Sequence, residues 1–297
     1  MKKHSAFTMI ELVFVIVIMG ILGKFGVEFL FQAYNSFIFS KINNELQTNS
    51  AVSLEFIASR LQYRIKDSTI GREDDNTTFA SVNDLNTSKQ YTALEWIAMD
   101  IDGYRSSATP NWSAIIDLDN TSADKDHLIS PGTDTDEVSS LINILSYGNS
   151  DINDSAIYFI GSNSDINGYG WNGTQITDQT KVMHPIKSDS SNSTILMPRG
   201  GDFSGIDVYE YYQLAWTANA VRIENINNSD NTFRLEYYWD YRPWEGETYL
   251  DGKHSTIMED ISTFRFTATG SIIKIQVCAK TSLTEEKYSL CKEKTVF

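Results

Sequence analysis

Ala6-Phe7-Thr8-Met9-Ile10-Glu11 leads into the apolar run 12–23, and the reading of this stretch decides how the rest of the chain is organised. Lys2, Lys3 and His4 form a short basic leader before it, and one carboxylate, Glu11, stands inside what otherwise reads as a membrane helix. From residue 7 to residue 31 there are 25 residues, interrupted by Glu11, Lys24 and Glu28. At ~1.5 Å per residue they span the ~30 Å hydrocarbon core of a bilayer. A cleaved secretory signal would lose its whole apolar region. The six-residue leader, and the lack of an Ala-x-Ala site after the run, oppose that and predict a retained anchor. Basic residues in short flanks prefer the cytoplasm, so Lys2 and Lys3 place the N-terminus inside and the bulk of the chain outside.

That bulk is acidic. The formal charge is −15, and removal of residues 1–6 takes away Lys2 and Lys3 and leaves −17. No basic patch offsets it, so the charge predicts no contact with nucleic acid, whose phosphates demand clustered Lys and Arg. With 297 residues and 41% hydrophobic content the chain can bury a sizeable core.

The helical pattern continues past the membrane segment. Phe31, Tyr34, Ile38, Ile42 and Leu46, then Leu54, Ile57, Leu61 and Ile65, recur at steps of three and four, and no proline occurs before Pro110. One helix is predicted from about residue 7 to about residue 66, on the order of 90 Å long. Its first half is apolar all round, and its second half carries one apolar stripe. Gly20, Gly23 and Gly26 lie inside it, either to let helices pack closely or to soften the segment.

From residue 68 the texture turns polar, with apolar islands at 94–99, 114–118, 141–145 and 156–160 that read as strands or short helices between long loops. After residue 206 apolar and polar residues alternate. Strands are predicted at 207–217, 221–224, 232–241, 261–267, 272–279 and 287–297, as in a half-buried antiparallel sheet. Such a sheet needs a partner layer, which the stripe Leu54–Ile57–Leu61–Ile65 supplies. The fold class is therefore α+β: a long N-terminal membrane-spanning helix packed by its C-terminal half on an antiparallel sheet, with a polar loop-rich insertion. The predicted segments are a leader at 1–6, the helix at 7–67 with a transmembrane and assembly part at 7–31, and a head at 68–297. Within the head, 71–201 is loop-rich and 206–297 is β. Cys278 and Cys291, twelve residues between them, suit neighbouring strands joined by a loop, and in an oxidising compartment a disulfide is favoured over two buried free thiols.

Ala-Phe-Thr-Met-Ile-Glu-Leu at residues 6–12 resembles the prepilin cleavage and methylation signal of type IV pilins and type II secretion pseudopilins. The family usually has Gly before the cut, where this chain has Ala6. The resemblance implies cleavage between Ala6 and Phe7, N-methylation of Phe7, and an assembly contact in which Glu11 pairs with the new amine of a neighbouring subunit. Such pairing would satisfy two charges that are costly inside an apolar filament. The bland alternative for Glu11 is a charge snorkelling at the cytoplasmic interface. The tyrosine-rich strands and the run Ile257 to Phe266 are similar, more weakly, to the larger J-type minor subunits. Implied partners are other pilin or pseudopilin subunits, a prepilin peptidase, an inner-membrane assembly platform and membrane lipid.

Several local patterns suggest chemistry. Asn163, Asp165, Asn167 and Gly168 match the first half of an EF-hand loop, although position twelve is Thr174 where a bidentate Glu is expected. Asp117 and Asp119, with Asp124 and Asp126, form a second carboxylate cluster for calcium. Asp/Asn-rich loops also produce both patterns by chance. Asn76, Asn86 and Asn153 each have an acidic residue two before and Ser or Thr two after, as in extended bacterial N-glycosylation acceptors. Trp239, Tyr241, Trp244 and Tyr249 could stack a ligand or pack a core. Lys24 and Glu28 are spaced as a helical ion pair. No catalytic motif occurs, and the four histidines are scattered at 4, 127, 184 and 254. The sequence thus predicts no enzyme and no resident cofactor, but a minor pilin or pseudopilin at a filament tip or in initiation. The alternative is a single-pass anchored periplasmic binding or sensor domain.

Overall fold

Helix α1 (Met9–Leu61) is unbroken over 53 residues in a computed structural model that describes residues 8–86, 88–106, 109–121, 126–227, 232–281 and 288–297. The chain divides into two units, Met1–Thr48 and Asn49–Phe297, and α1 passes from the first into the second.

In the first unit the apolar side chains of 9–31 are exposed on every side of the helix, Phe14 at 67% and Leu22 at 65% among them. The segment is long and apolar enough to cross a membrane, with a mean hydropathy of 2.3 over its best window. The helix continues through Gly20, Gly23 and Gly26, and a Cβ at any of the three would meet nothing within 4 Å. No contact within the chain therefore requires their small size.

In the second unit α1 behaves differently. Leu54, Ile57 and Leu61 are at most 3% exposed, each such burial stabilising by roughly 1.5–3 kcal/mol. The helix stops at Leu61, short of the predicted residue 66. There the Arg64 guanidinium takes the Leu61 carbonyl at 2.8 Å, and the Ile65 N–H donates to the Ile97 carbonyl at 2.9 Å. A free carbonyl of the last turn is thus satisfied by a side chain while the backbone pairs with a strand, and the helix cannot go on.

The strands in chain order are β1 (Ile70–Glu73), β2 (Phe79–Ser81), β3 (Tyr91–Ala98), β4 (Leu128–Ile129), β5 (Ala156–Phe159), β6 (His184–Ser188), β7 (Ile195–Pro198), β8 (Tyr212–Ala215), β9 (Thr217–Asn227), β10 (Thr232–Tyr241), β11 (Lys253–Thr269), β12 (Ile272–Lys280) and β13 (Ser289–Val296). An eight-stranded sheet has the order β13-β12-β11-β10-β9-β3-β1-β2, and a five-stranded sheet the order β4-β7-β6-β5-β8, with antiparallel pairing in both. The end of α1 packs on the large sheet. Phe56 meets Tyr237 of β10 edge-on at 5.1 Å, Glu55 pairs with Lys294 of β13, and Arg64 reaches the Ser271 carbonyl between β11 and β12. Along β12, Ile273, Ile275 and Val277 are buried and alternate with Lys274 and Gln276.

The opposite side of the large sheet carries an aromatic core of Tyr238, Tyr241, Tyr158, Tyr169, Trp171 and Trp244. A second core joins the small sheet to the helix Thr135–Leu145 through Ile157, Phe159, Leu214, Val138 and Ile142. The expected strand 207–217 is in fact two: β8 ends at Ala215 in the small sheet and β9 begins at Thr217 in the large one, with Trp216 at the corner. The stretch 71–201 is more structured than its composition suggests. It supplies β2 to β7, most of β1 and the Thr135–Leu145 helix, while 114–118 forms no strand but a bridge from Ile115 to Tyr211 and the start of the short helix Leu118–Thr121. Short side chains close the turns between these elements: Asp75, Asp178 and Asp189 each accept the N–H two residues on at 3.0 Å or less.

Candidate functional site

Glu11 sits in the first turn of α1, and its partner is local. Thr8 precedes the first helical residue. Its N–H donates to Glu11 Oε2 at 3.3 Å and its hydroxyl to the same oxygen at 3.1 Å. The Thr-x-x-Glu spacing is that of a capping box, in which the third helical residue reaches back to satisfy the cap N–H. A negative charge here also complements the positive end of the helix dipole. This spacing is visible in Thr8-Met9-Ile10-Glu11, and neither the intermolecular nor the snorkelling reading of Glu11 takes it into account. Ala6 and Phe7, the expected cleavage and methylation positions, lie outside the described residues. Lys24 and Glu28 form no ion pair among the described residues.

Cys278 and Cys291 are bonded to each other, directly opposite in the β12–β13 register with their Cα atoms 3.9 Å apart. Closing a loop of this size contributes about 3 kcal/mol in the chain-entropy account. The bond fastens the last strand, which is also the edge of the large sheet.

Two of the calcium candidates, Asp117 and Asp165, hold local turns. Asp117 takes the Asn120 N–H at 3.1 Å and the Asn120 side-chain amide at 2.6 Å, and these hydrogen bonds hold its carboxyl below the usual carboxylate range. Asp119 lies in the short helix that Asp117 precedes. Asp165 Oδ1 accepts both the N–H and the side-chain amide of Asn167, at 3.1 and 3.0 Å, and Asn163 lies beside them on the rim of a polar cleft. Among the described residues no group of three or more His, Cys, Asp or Glu is placed to hold a metal ion, and Asp124 lies outside them.

The three acceptor asparagines differ in access. Asn76 is half-buried in a left-handed turn, where its side-chain oxygen accepts from the Tyr249 hydroxyl. Asn153 Oδ1 accepts from the Ser188 N–H at 3.1 Å, and Ser155, two residues on, is fully buried. Asn86 alone is exposed together with its hydroxyl residue, Ser88, whose N–H and hydroxyl donate to Asn86 Oδ1 at 2.9 and 2.8 Å.

Three of the four singled-out aromatics are core. Tyr241, Trp244 and Tyr249 have no exposed surface, and the Tyr241 hydroxyl donates to Glu95 at 3.0 Å beside the buried Arg72–Glu95 pair. Trp239 is different: it is half-buried and stacks on Tyr237 at 5.5 Å and 17°. His184 is buried against Phe159, 4.9 Å away, and burial pushes its imidazole down to about 4. His254 lies beside Tyr238 at 5.5 Å, on another strand from His184.

Residues 1–23 match the family model described as the prokaryotic N-terminal methylation motif. The match takes in Ala6, Phe7 and Glu11. No curated protein and no solved structure matches the chain.

Proposed function

We infer that this chain, which carries the N-terminal methylation motif of type IV pilin-like proteins over residues 1–23, is a minor pilin or pseudopilin, a structural subunit rather than an enzyme. In this reading it is cut between Ala6 and Phe7, methylated on the Phe7 amine, and assembled with other pilin subunits through α1. Glu11 pairs with the amine of a neighbouring subunit. The supporting observation is that the motif runs without a break into a helix whose apolar residues are exposed from Met9 to Phe31. Exposed apolar surface of that extent calls for lipid or for sister helices.

The same reading places residues 7–31 in the inner membrane with the N-terminus cytoplasmic and residues 49–297 periplasmic, where an oxidising compartment accounts for the Cys278–Cys291 bond. A prepilin peptidase and an inner-membrane assembly platform are then its processing and assembly partners. The head, residues 49–297, carries a formal charge of −16, which suits a tip or initiating subunit better than a repeating one.

Mass analysis of the N-terminus of membrane-extracted protein tests this. Methylated Phe7 is the expected first residue, and a chain beginning at Met1 overturns the reading. A filament composed mainly of this subunit would instead sink the tip assignment alone.

A further inference from the structure

Three segments of the second unit carry an acidic residue two before an asparagine and a hydroxyl residue two after it: Asp74-Asn76-Thr78, Asp84-Asn86-Ser88 and Asp151-Asn153-Ser155. The pattern matters because an asparagine amide is a poor nucleophile, its nitrogen lone pair being shared with the carbonyl. A transferase that joins a sugar to that nitrogen must take the amide and the hydroxyl two residues on into one pocket. The acceptor segment therefore has to lift off the protein surface. What its hydrogen bonds tie it to decides whether it can react.

Two of the three segments are tied to distant parts of the fold. The Asn76 side-chain oxygen is held by the Tyr249 hydroxyl, and its carbonyl accepts from the Arg72 guanidinium at 3.0 Å. Asp74 is paired with Arg222 at 2.7 Å, and the Thr78 hydroxyl already donates to Asp75 at 2.7 Å. The Asn153 side-chain oxygen accepts from the Ser188 N–H at 3.1 Å, its carbonyl accepts from Arg199 at 2.8 Å, and Ser155 has no exposed surface. Lifting either segment would break contacts to residues far along the chain.

Asn86 is held otherwise. Asp84, Asn86 and Ser88 are all exposed, on the connection that leads from the short helix Val82–Asp84 to β3, and the residue between Asn86 and Ser88 is not proline. The bonds to the Asn86 side chain come from within the segment, both from Ser88. The backbone is also held locally: the Lys89 N–H donates to the Asn86 carbonyl at 3.0 Å, and the Asn86 N–H reaches the Tyr91 hydroxyl at 3.4 Å. Among the described residues Asn86 Nδ2 donates to no partner, so the nitrogen that would receive a sugar is free. Side-chain bonds of this short range are readily exchanged for others, and no buried side chain has to move.

We propose that Asn86 is the acceptor of an N-linked oligosaccharide, delivered from a polyprenyl-diphosphate carrier by a membrane oligosaccharyltransferase. A bond forms between Asn86 Nδ2 and C1 of the first sugar, the bond from C1 to the diphosphate oxygen breaks with its electron pair leaving on the diphosphate, and the Nδ2 proton passes to a base of the transferase. The inference rests on the reading that residues 49–297 are exported, where such a carrier can meet them.

Mass spectrometry of the full chain, extracted from the membranes of its own cells and digested, tests it with site-localising fragmentation. Asn86 should carry one oligosaccharide, and Asn76 and Asn153 none. Ser88→Ala should abolish the addition, Ser88→Thr should keep it and Asp84→Ala should lower occupancy severalfold, each with an unchanged melting temperature because these side chains are exposed. An unmodified Asn86 on a chain that begins at methylated Phe7 overturns this inference and leaves the pilin reading standing, whereas a glycan on Asn86 of a chain that begins at Met1 supports it and overturns the pilin reading. Occupancy that survives Ser88→Ala, or equals that at Asn76 or Asn153, overturns it as well.

Discussion

Residues 9–31 and residues 54–61 belong to one helix, yet they satisfy their apolar side chains in different ways. In the first stretch Phe14, Ile18 and Leu22 have no cover within their own chain; in the second, Leu54, Ile57 and Leu61 are sealed beneath a sheet. The difference lies in pattern, not in hydrophobicity. Apolar residues on all faces demand a surrounding apolar solvent, whereas a single stripe demands one surface. Backbone regularity therefore says little about where a helix belongs, and the angular spread of its side chains says much.

The comparison breaks most visibly under an introduced charge. Leu61→Asp buries an unpaired carboxylate and should cost about 4 kcal/mol or more in urea unfolding of the head, whereas Phe14→Asp should leave that transition in place and reduce membrane retention instead. Next in size is the disulfide. Reduction, or the Cys278→Ala/Cys291→Ala pair, should lower unfolding free energy by about 3 kcal/mol, while an unshifted urea midpoint would mean that β13 is held by its other contacts.

Acid should act on the second region in large part through two buried groups of opposite sign. His184 is driven down to about 4 by burial, so the unfolded chain takes up this proton first and stability falls as pH drops from 6.5 towards 4. Asp100 is pushed up to about 6 by burial, so the folded chain binds its proton first and stability rises as pH drops from 6 towards 4. Each effect amounts to roughly 3 kcal/mol, and over pH 4–6 they offset each other. Asp100→Asn, which keeps the acceptor for the Gly103 N–H, should remove the compensation and expose the full His184 loss in urea melts at pH 6.5 and pH 4. Equal acid sensitivity in the variant and the parent would show that these two groups do not set it.

Smaller effects sharpen the contrast further. Glu11→Gln should move head unfolding by no more than a few tenths of a kcal/mol and still stop assembly, measured as filament incorporation. Millimolar calcium should leave the melting temperature where it was, since the oxygens of Asp117 and Asp165 already accept hydrogen bonds. A rise of several degrees would return those loops to the list of cation sites.

Much of this was legible before any coordinates. Proline-free periodicity gave α1 to within a few residues at each end, and two-residue alternation gave β12 almost to the residue, because its one buried face holds Ile273, Ile275 and Val277; β10 was found on Phe233, Leu235 and Tyr237 although Glu236 and Tyr238 on its other face are buried too. The route of 71–201 was not legible. Its turns are closed by Asp and Asn side chains that look the same in a coil, and its strands are short and often covered on both faces, which removes alternation. Trp216 shows the limit well: nothing local distinguishes a residue inside one strand from the corner between two sheets. The candidate site was legible only in part: Trp239 stands out as an aromatic in the sequence, but that its ring stacks on Tyr237 while Tyr241, Trp244 and Tyr249 are buried follows only from the strand register and the core.

One consequence concerns the turn at Thr8. Both Thr8 donors fall on the same oxygen of Glu11, Oε2, and Oε1 takes no hydrogen bond among the described residues. Under the proposed assembly, a neighbour's amine would meet a carboxylate that its own chain already holds in one rotamer with its second oxygen open. Preordering of that kind lowers the entropy lost on contact. Thr8→Val, which deletes the hydroxyl donor while leaving the backbone one, should loosen that rotamer and lower filament incorporation by less than Glu11→Gln does.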